Sequence, residues 1–426
     1  MKRVVILCVW LFSVVAGHAQ LSLDECRRLA RENYPEIRQY DLVHQTEQYN
    51  LSNAARAWIP QLAFSAQATW QTDAPNFPKE LTGMLAQQGL EIPGLRKDQY
   101  KVALELNQTI WDGGKSVADK RIARAEAAEQ KTMTDVDLYE LEGRVDDLYF
   151  GILLLDERIA QTNLTLNLLR SNLEKVRALQ RNGVAMQSDA DVLEAELLSV
   201  GQQLIQFESS CDSYRRMLGI FIGQTVGDRK LQRPSAVQPL SGESARPELA
   251  MFAAKIDRLT AQEKMVKSSS MPRLGFFAQG YYGYPGLDYM QGMMNSDWSW
   301  NAMLGVKLSW NFGAYYTQKN NLDKLRTSRQ QVEVQRDVFL FNMNLQAAQE
   351  NGDIARLRKA IADDDRIVAL RRSVREAAES KLRNGIIDTH DLLSKITDES
   401  TASMARSMRE IELLKAIYEY KHTINR

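Results

Sequence analysis

The sequence predicts an α+β membrane protein in which long helical coiled coils carry four β-strands, with two halves that share one layout. Three observations support this prediction: landmarks recur in the same order, four segments alternate strictly between apolar and polar residues, and some helices are far longer than a globular domain requires. Strands with one apolar and one polar face are typical of membrane β-barrels.

The composition limits the classes of function that remain. The charges balance, with 54 Lys and Arg against 54 Asp and Glu, so no net positive field attracts nucleic acid. The longest uncharged apolar stretch, residues 4–17, is shorter than the roughly 20 residues of a membrane-spanning helix. We therefore expect neither a nucleic-acid-binding protein nor a helical membrane protein. A strand-built membrane protein stays open, because its hydropathy signal is weak.

Residues 1–19 have the order of a secretory signal peptide. Lys2 and Arg3 precede an apolar run, and small residues stand at both positions that cleavage after Ala19 requires. The mature chain is therefore expected to begin at residue 20 and to leave the cytoplasm.

The remainder of the chain is predicted to be a duplicated unit. Four landmarks of the first half recur in order: Pro35 as Pro247, Pro60 as Pro272, Trp111-Asp112-Gly113-Gly114 as Trp310-Asn311-Phe312-Gly313, and Arg181-Asn182-Gly183 as Arg383-Asn384-Gly385. The Gly- and Pro-rich residues 219–246 lie between the halves and are typical of a linker. We therefore divide the mature chain into a first repeat, residues 20–218, the linker, and a second repeat, residues 247–426.

Each repeat is predicted to run helix, strand, strand, long helix, tight turn and helix. Ser22 and Glu25 form a capping box that opens the first helix. The alternating segments that predict the strands cover residues 62–70, 100–110, 274–284 and 298–310. Their even-numbered residues are mostly apolar and are expected to face lipid. Tilted by about 40°, strands of this length would span the ~25 Å apolar band of an outer membrane.

The long helix predicted over residues 115–181 carries a coiled-coil seam. From Leu138 to Val176, twelve positions spaced by three and four residues include eleven apolar ones, and Thr162 is the exception. The seam continues beyond the turn, so the two helices are expected to pair antiparallel. The long helix of the second repeat, residues 314–383, is less regular, and its run Asp363-Asp364-Asp365 is interpreted as a solvated face.

The tryptophans favour a membrane interpretation of the strands. All six in the mature chain lie at or near strand ends, as in the aromatic belts of membrane interfaces: Trp58, Trp70, Trp111, Trp298, Trp300 and Trp310. The alternative is a pair of soluble sheets packed on helices. Four strands cannot close a wide barrel, and an open edge cannot face lipid, so other copies must complete it. Three copies would supply twelve strands.

The ordered landmarks, with the strand-ending Trp111-Asp112-Gly113-Gly114 and the two Arg-Asn-Gly hairpins, resemble the TolC family of outer-membrane efflux ducts over nearly all of the mature chain. The resemblance implies a homotrimer whose twelve-strand barrel lies in the outer-membrane lipid of a Gram-negative bacterium and continues into a long periplasmic helical tunnel. It also implies two partners, a periplasmic adaptor protein and an inner-membrane pump that supplies the energy. The chain would then be a passive exit duct for efflux or type I secretion.

The resemblance also assigns candidate site residues at the periplasmic tip. The two turns are expected to contact the adaptor: Arg181, Asn182 and Gly183 in the first repeat, and Arg383, Asn384 and Gly385 in the second. Asp391 matches an aspartate that lines the closed aperture in the family, with Asp388 as a second candidate, although either residue also suits a helix cap. The aromatic and arginine latch of the family is missing, so the contacts that hold the closed gate are expected to be weaker, or apolar through Ile386 and Ile387.

No catalytic, cofactor-binding or metal motif is found in the sequence. Gly114-Lys115-Ser116 ends like a phosphate loop, but Thr109 stands where the first glycine is required. We therefore expect no enzyme, cofactor or metal, and the alternative function is a non-transport periplasmic coiled-coil scaffold or adaptor. Cys26 and Cys211 would lie in an oxidising compartment and are candidates for a disulfide, unless Cys211 is only a small apolar residue of its seam.

Overall fold

A computed structural model describes residues 20–183, 185–236, 244–384 and 386–425. The predicted signal peptide, Gly385 and part of the predicted linker lie outside these residues. The described elements, with a 3-10 turn at Pro35–Arg38, are α1 Leu23–Asn33, α2 Gln39–Arg56, β1 Gln61–Trp70, α3 Lys79–Gln87, β2 Asp98–Trp111, α4 Lys115–Arg181, α5 Gln187–Ile222, α6 Pro247–Ser269, β3 Arg273–Tyr284, α7 Tyr289–Met294, β4 Ser299–Ser309, α8 Ala314–Arg383 and α9 Thr389–Ile424.

The chain divides into two compact units. We call one the helical unit, which contains Met1–Tyr40, Thr132–Ala250 and Arg336–Arg426, and the other the sheet unit, which contains Asp41–Lys131 and Met251–Gln335. No helix among the described residues is long and apolar enough to cross a membrane.

The sheet unit contains one antiparallel sheet with the strand order β1-β2-β3-β4. Except at Trp111, its register pairs even-numbered residues with even-numbered ones: Phe64 with Leu104, Leu104 with Gly280, and Gly280 with Ala302. Because paired residues lie on the same face, the predicted apolar positions of all four strands form one surface. We call this surface the even face and the opposite one the odd face.

A β-bulge near the end of β2 changes which face its last residue, Trp111, lies on. The register shifts between Thr109 and Trp111, so that Trp111 lies opposite Leu274 rather than opposite an odd-numbered residue. The inserted residue brings the indole to the even face.

The helical unit is built on the predicted seam of α4. Ten of the twelve seam positions are buried, and Leu155 and Ile159 are half-buried. They divide into two apolar clusters, one containing Leu138 to Leu153 of α4 and the other containing Leu166 to Val176. Thr162 lies between the clusters, and its hydroxyl donates to the Arg158 carbonyl at 2.7 Å, so this buried polar group is satisfied within its own helix.

Helices α4 and α5 are antiparallel neighbours, as the matching seams predict. Near the turn, Arg177 Nη2 lies 2.7 Å from Glu194 Oε2, and farther from it Arg215 Nη2 lies 2.9 Å from Asp156 Oδ2. The paired residues have decreasing numbers on α4 as their numbers increase on α5, so the two helices run in opposite directions.

Helices α8 and α9 are joined by an apolar cluster that contains Ile354 and Ile417 and by several arginine–carboxylate pairs. Arg371 Nη1 lies 2.8 Å from Asp398 Oδ2 and Arg406 Nε 2.9 Å from Asp365 Oδ1, and Arg409 pairs with Asp364. The prediction that Asp363 to Asp365 form a solvated face is therefore wrong for Asp364, which is buried. The charge of Arg409 on the facing helix makes this burial possible.

The first boundary of the predicted linker is also corrected. Helix α5 includes Gly219 and continues to Ile222, and Gly223 ends it in the left-handed region with φ of +69°. Asn33 Nδ2 donates to the Ile220 and Phe221 carbonyls at 3.1 Å, which satisfies two of the exposed carbonyls at this helix end.

The residues after α5 pair with the start of the mature chain. Leu21 forms a parallel β-bridge with Leu231, and Tyr149 Oη lies 2.8 Å from the Leu21 carbonyl oxygen and 2.6 Å from the Gln232 carbonyl oxygen, and its hydroxyl can donate to either. This part of the predicted linker is therefore ordered by hydrogen bonds to residues of the first repeat.

Cys26 and Cys211 are both buried free thiols, so the candidate disulfide is not formed. Both belong to the apolar cluster around Leu138 to Leu153. Burial raises the pKa of Cys26 to about 12, while Cys211 Sγ lies 3.3 Å from both Asp156 Oδ1 and Arg215 Nε. Cys211 is therefore a small buried residue of the α5 seam, which was the alternative to a disulfide.

Candidate duct surfaces: the sheet face and the hairpin tips

The even face of the sheet is an exposed apolar surface. Phe64, Trp300 and Leu304 expose 73%, 82% and 75% of their area, although large apolar side chains are normally buried. Strands β1 and β4 each pair with one neighbour among the described residues, so both edges of the sheet are open within one chain. An apolar face and two open edges leave the sheet incomplete in water.

The six predicted interface tryptophans divide between the two ends of this sheet. Because the strands are antiparallel, the bounds of β1, β2 and β4 place Trp58, Trp111 and Trp310 at one end and Trp70, Trp298 and Trp300 at the other. All six are exposed. Three at each end is the arrangement that an aromatic belt requires, and their contact with membrane stays a prediction.

Local contacts hold several of these rings in place. Trp310 Nε1 donates to the Ser270 carbonyl at 3.0 Å. At the other end, the Tyr282 ring lies 5.4 Å from that of Trp298 and 5.0 Å from that of Trp300, centre to centre. These interactions orient the tryptophans without burying them.

The segment that resembles a phosphate loop is a strand-to-helix turn, as predicted. Gly113 and Gly114 have φ of +71° and +87°, and Asp112 Oδ1 accepts from the Gly114 N–H at 2.9 Å. Asp112 Oδ2 accepts from the Ser116 N–H at 2.6 Å and from its hydroxyl. Burial alone would raise the pKa of Asp112, but these hydrogen bonds outweigh it and lower the pKa. The carboxylate therefore caps the first turn of α4.

The first hairpin tip lies between α4 and α5. Arg181 is the last residue of α4, and Gly183 reverses the chain with φ of +76°. The returning helix is capped by Asp189, whose Oδ2 accepts from the Met186 N–H at 2.8 Å. Met186 itself is 74% exposed, so the tip presents an apolar side chain that the sequence prediction did not include.

The second hairpin tip separates the two aperture candidates. Asp388 is the N-cap of α9, and its Oδ1 accepts from the Asp391 N–H at 2.8 Å. Its carboxylate is therefore used locally, whereas Asp391 is an exposed residue of the first turn. The aperture role of both residues stays a prediction, with Asp391 the better placed.

The predicted apolar closure by Ile386 and Ile387 is corrected in part. Ile387 packs with Leu382 against the apolar cluster around Leu166 to Val176, so it belongs to the hairpin core. Ile386 is 68% exposed and Ile387 is half-buried, so Ile386 offers the larger area for contact with another molecule.

The sequence does not predict a partly buried ion-pair network near this tip. Arg375 pairs with Glu399 on α9 and, at 2.5 Å, with Glu379, which lies 3.5 Å from Lys175 Nζ on α4. Burial alone would lower the pKa of Arg375, but the bonds to Glu399 and Glu379 raise it. The four-residue spacing of Arg375 and Glu379 is visible in the sequence, whereas the contact with Glu399 depends on how α8 faces α9.

Comparison with known proteins shows which proteins this chain resembles. A family model described as outer membrane efflux protein matches residues 27–223. No curated protein matches the chain by sequence.

Solved structures extend the likeness of fold to nearly the whole chain. The outer-membrane channel OprN matches with a TM-score of 0.69 and 14% identity, over 94% of this chain and 89% of that one. VceC from Vibrio cholerae matches at 0.67 and 14%, over 94% and 95%. The Campylobacter jejuni CmeC channel matches at 0.64 and 14%, over 94% and 85%. The predicted resemblance is therefore confirmed: the chain resembles outer membrane efflux proteins in sequence over residues 27–223 and in fold over most of its length.

Proposed function

We propose that this chain is one subunit of an outer-membrane exit duct in a tripartite efflux or type I secretion system. The single observation that carries the proposal is the exposed apolar face of a sheet whose two edges are open. The family match over residues 27–223 supports the efflux role.

Assembly with two further copies follows from the open edges. Edge strands that entered lipid unpaired would leave backbone N–H and C=O groups without hydrogen bonds, at a cost of several kcal/mol each. Pairing β4 of one chain with β1 of the next removes both edges, and three chains close a twelve-strand barrel. In this arrangement the even face contacts lipid and the odd face lines the lumen.

The helical hairpins would provide the contacts with the partner proteins. Each repeat contributes two strands and one hairpin, and the hairpin tips at Gly183 and Asn384 would contact a periplasmic adaptor. The duct itself is passive, and an inner-membrane pump supplies the energy.

The mass of the detergent-extracted protein tests this proposal. We expect a homotrimer that is recovered from the outer-membrane fraction and forms conducting pores in planar bilayers. A detergent-free soluble monomer would contradict the barrel and favour the scaffold alternative.

A further inference from the structure

We propose that the odd face of the sheet carries a binding site for an aromatic organic anion, beside Arg273 and Lys307. The site itself rests on geometry and charge alone, and its use for anionic cargo rests on the proposed function. We call it the cationic notch and define it by Thr109, Arg273, Gly275, Phe277 and Lys307.

The strand register brings the two cations of the notch together. Gly275 of β3 pairs with Lys307 of β4 on one side and with Thr109 of β2 on the other, and Arg273 pairs with Ser309. Arg273 and Lys307 are therefore diagonal neighbours on one face, with side chains that start roughly 7 Å apart.

Glycine forms the floor between them. A Cβ added to Gly275 would have a single heavy atom within 4 Å, the Gln108 carbonyl oxygen at 3.2 Å, so the space above this residue is open. The Phe277 ring lies over Gly305, where an added Cβ would be 3.0 Å from its Cζ. A cavity of about 600 Å³ results, and Arg273, Lys307 and Phe277 are among its lining residues.

The other charged residues that line the cavity have hydrogen-bond or ion-pair partners of their own: Glu105, Asp112, Lys115 and Asp119. The Asp112 carboxylate accepts from the Gly114 and Ser116 N–H groups. Lys101 Nζ donates to Gln279 Oε1 at 3.0 Å, and the amide of Gln279 donates to Glu105, which links these two opposite charges. Lys115 Nζ lies 2.8 Å from Asp119 Oδ2.

The two cations of the notch differ from these groups. Within the part of the chain that the structure describes, neither Arg273 nor Lys307 has an ion pair or a side-chain hydrogen bond. Apart from Asp98, which pairs with Arg96, the four strands contain only Lys101, Glu105, Arg273 and Lys307 as charged residues. The odd face therefore keeps an excess positive charge, and that charge lies at the notch.

The chemistry of the lining defines the ligand. A guanidinium binds sulfonate, carboxylate or phosphate oxygens through two parallel hydrogen bonds, and the nearby ammonium adds a second positive charge. The half-buried Phe277 ring, which lines the cavity, offers contact to an aromatic body. The cavity also has the volume of ordinary small-molecule sites, which is about 300–1,000 Å³. An aromatic sulfonate combines these features and serves as the probe.

Calorimetric titration of the detergent-extracted protein with 2-naphthalenesulfonate tests the notch. We expect saturable binding, and we expect the double variant Arg273→Gln/Lys307→Gln to bind at least about a hundredfold more weakly, since each charge-assisted hydrogen bond contributes about tenfold. Gly275→Gln keeps both cations but fills the floor, so it should also lose binding. This second variant keeps the test valid if the double variant does not fold.

Lys101→Gln is the matched control, because it removes a cation of the same face that is already engaged with Gln279. It should bind the sulfonate within about twofold of the wild type, and the neutral analogue 2-naphthalenemethanol should bind poorly to all variants. The site is refuted if the wild type does not bind at millimolar concentration, if Lys101→Gln loses as much affinity as the double variant, or if the neutral analogue binds equally. A protein that binds the sulfonate but forms no pores would contradict the duct and leave the notch intact.

Discussion

Lysine at the middle of strand β4 should destabilise the protein in a bilayer far more than lysine on the opposite face. Leu304 lies at the centre of Ser299–Ser309, between the tryptophan groups at the two sheet ends. Its side chain is 75% exposed within one chain and lies on the even face, opposite Ala278. Leu304→Lys would therefore place an ammonium group near the bilayer midplane.

The expected magnitude follows from that depth. A lysine on the lipid face of a membrane barrel costs about 2–4 kcal/mol at the midplane and about 0–1 kcal/mol near the interfaces. Since 1.4 kcal/mol is a factor of ten, Leu304→Lys should lower the folding equilibrium constant by about 30-fold to 700-fold per chain.

The assay is guanidinium unfolding of the protein in lipid vesicles, followed by tryptophan fluorescence. Met303→Lys is the matched control, because it introduces the same charge one residue away, at the same depth, on the odd face. Asn107→Lys is a second control, whereas Asn301 is unsuitable, since its Oδ1 accepts from the Leu287 N–H at 2.7 Å and a change there also disturbs a loop. Equal losses for Leu304→Lys and Met303→Lys would refute the assignment of the even face to lipid.

Three further predictions concern the helical unit. Asp391→Ala should weaken block of single-channel conductance by divalent or trivalent cations, because it removes the exposed carboxylate of the second tip. Arg375→Met should lower the free energy of unfolding by about 2 kcal/mol, because it removes the closest cation of the mostly buried Glu399, which keeps only Arg372 at 3.2 Å. Burial lowers the pKa of His422 to about 4, below its ordinary value of about 6.5. The unfolded chain therefore takes up this proton first, so the melting temperature should fall as the pH drops from about 6.5 towards 4.

Each of these predictions has a control within the chain. The double variant Asp388→Asn/Asp391→Ala is the control for the first prediction, because asparagine still caps α9 and assembly should be unaffected. If cation block is unchanged in both Asp391→Ala and the double variant, neither carboxylate lines the aperture. Arg371→Met breaks a more exposed pair and should cost at most about 1 kcal/mol; a cost equal to that of Arg375→Met would contradict the network. His422→Phe keeps an aromatic ring against Tyr139, 4.2 Å away between ring centres, and should flatten the pH dependence. An equally steep loss in that variant would assign the effect to other groups.

The repeating patterns of the chain were sufficient to predict its strands and long helices, but not the short helices α3 and α7 between the strands. The three-and-four spacing from Leu138 to Val176 identified the seam of α4, because one face of a long helix can be buried only if apolar residues return to it. The even-numbered alternation identified the apolar face of the sheet, since side chains of a strand point alternately to its two sides. Gly183 marked the first hairpin, because few other residues reverse a helix as readily.

Features that join residues far apart in the sequence were decided only by the tertiary structure. The burial of Asp364, the pairing of Arg375 with Glu399 and the use of Ile387 in the hairpin core depend on the rotation of α8 against its neighbours, which no local pattern contains. The notch likewise requires the register of β3 against β4, which places Arg273 diagonally from Lys307 across Gly275. A sequence pattern determines which face of an element is apolar, whereas the contact between two particular side chains requires the relative position of both elements.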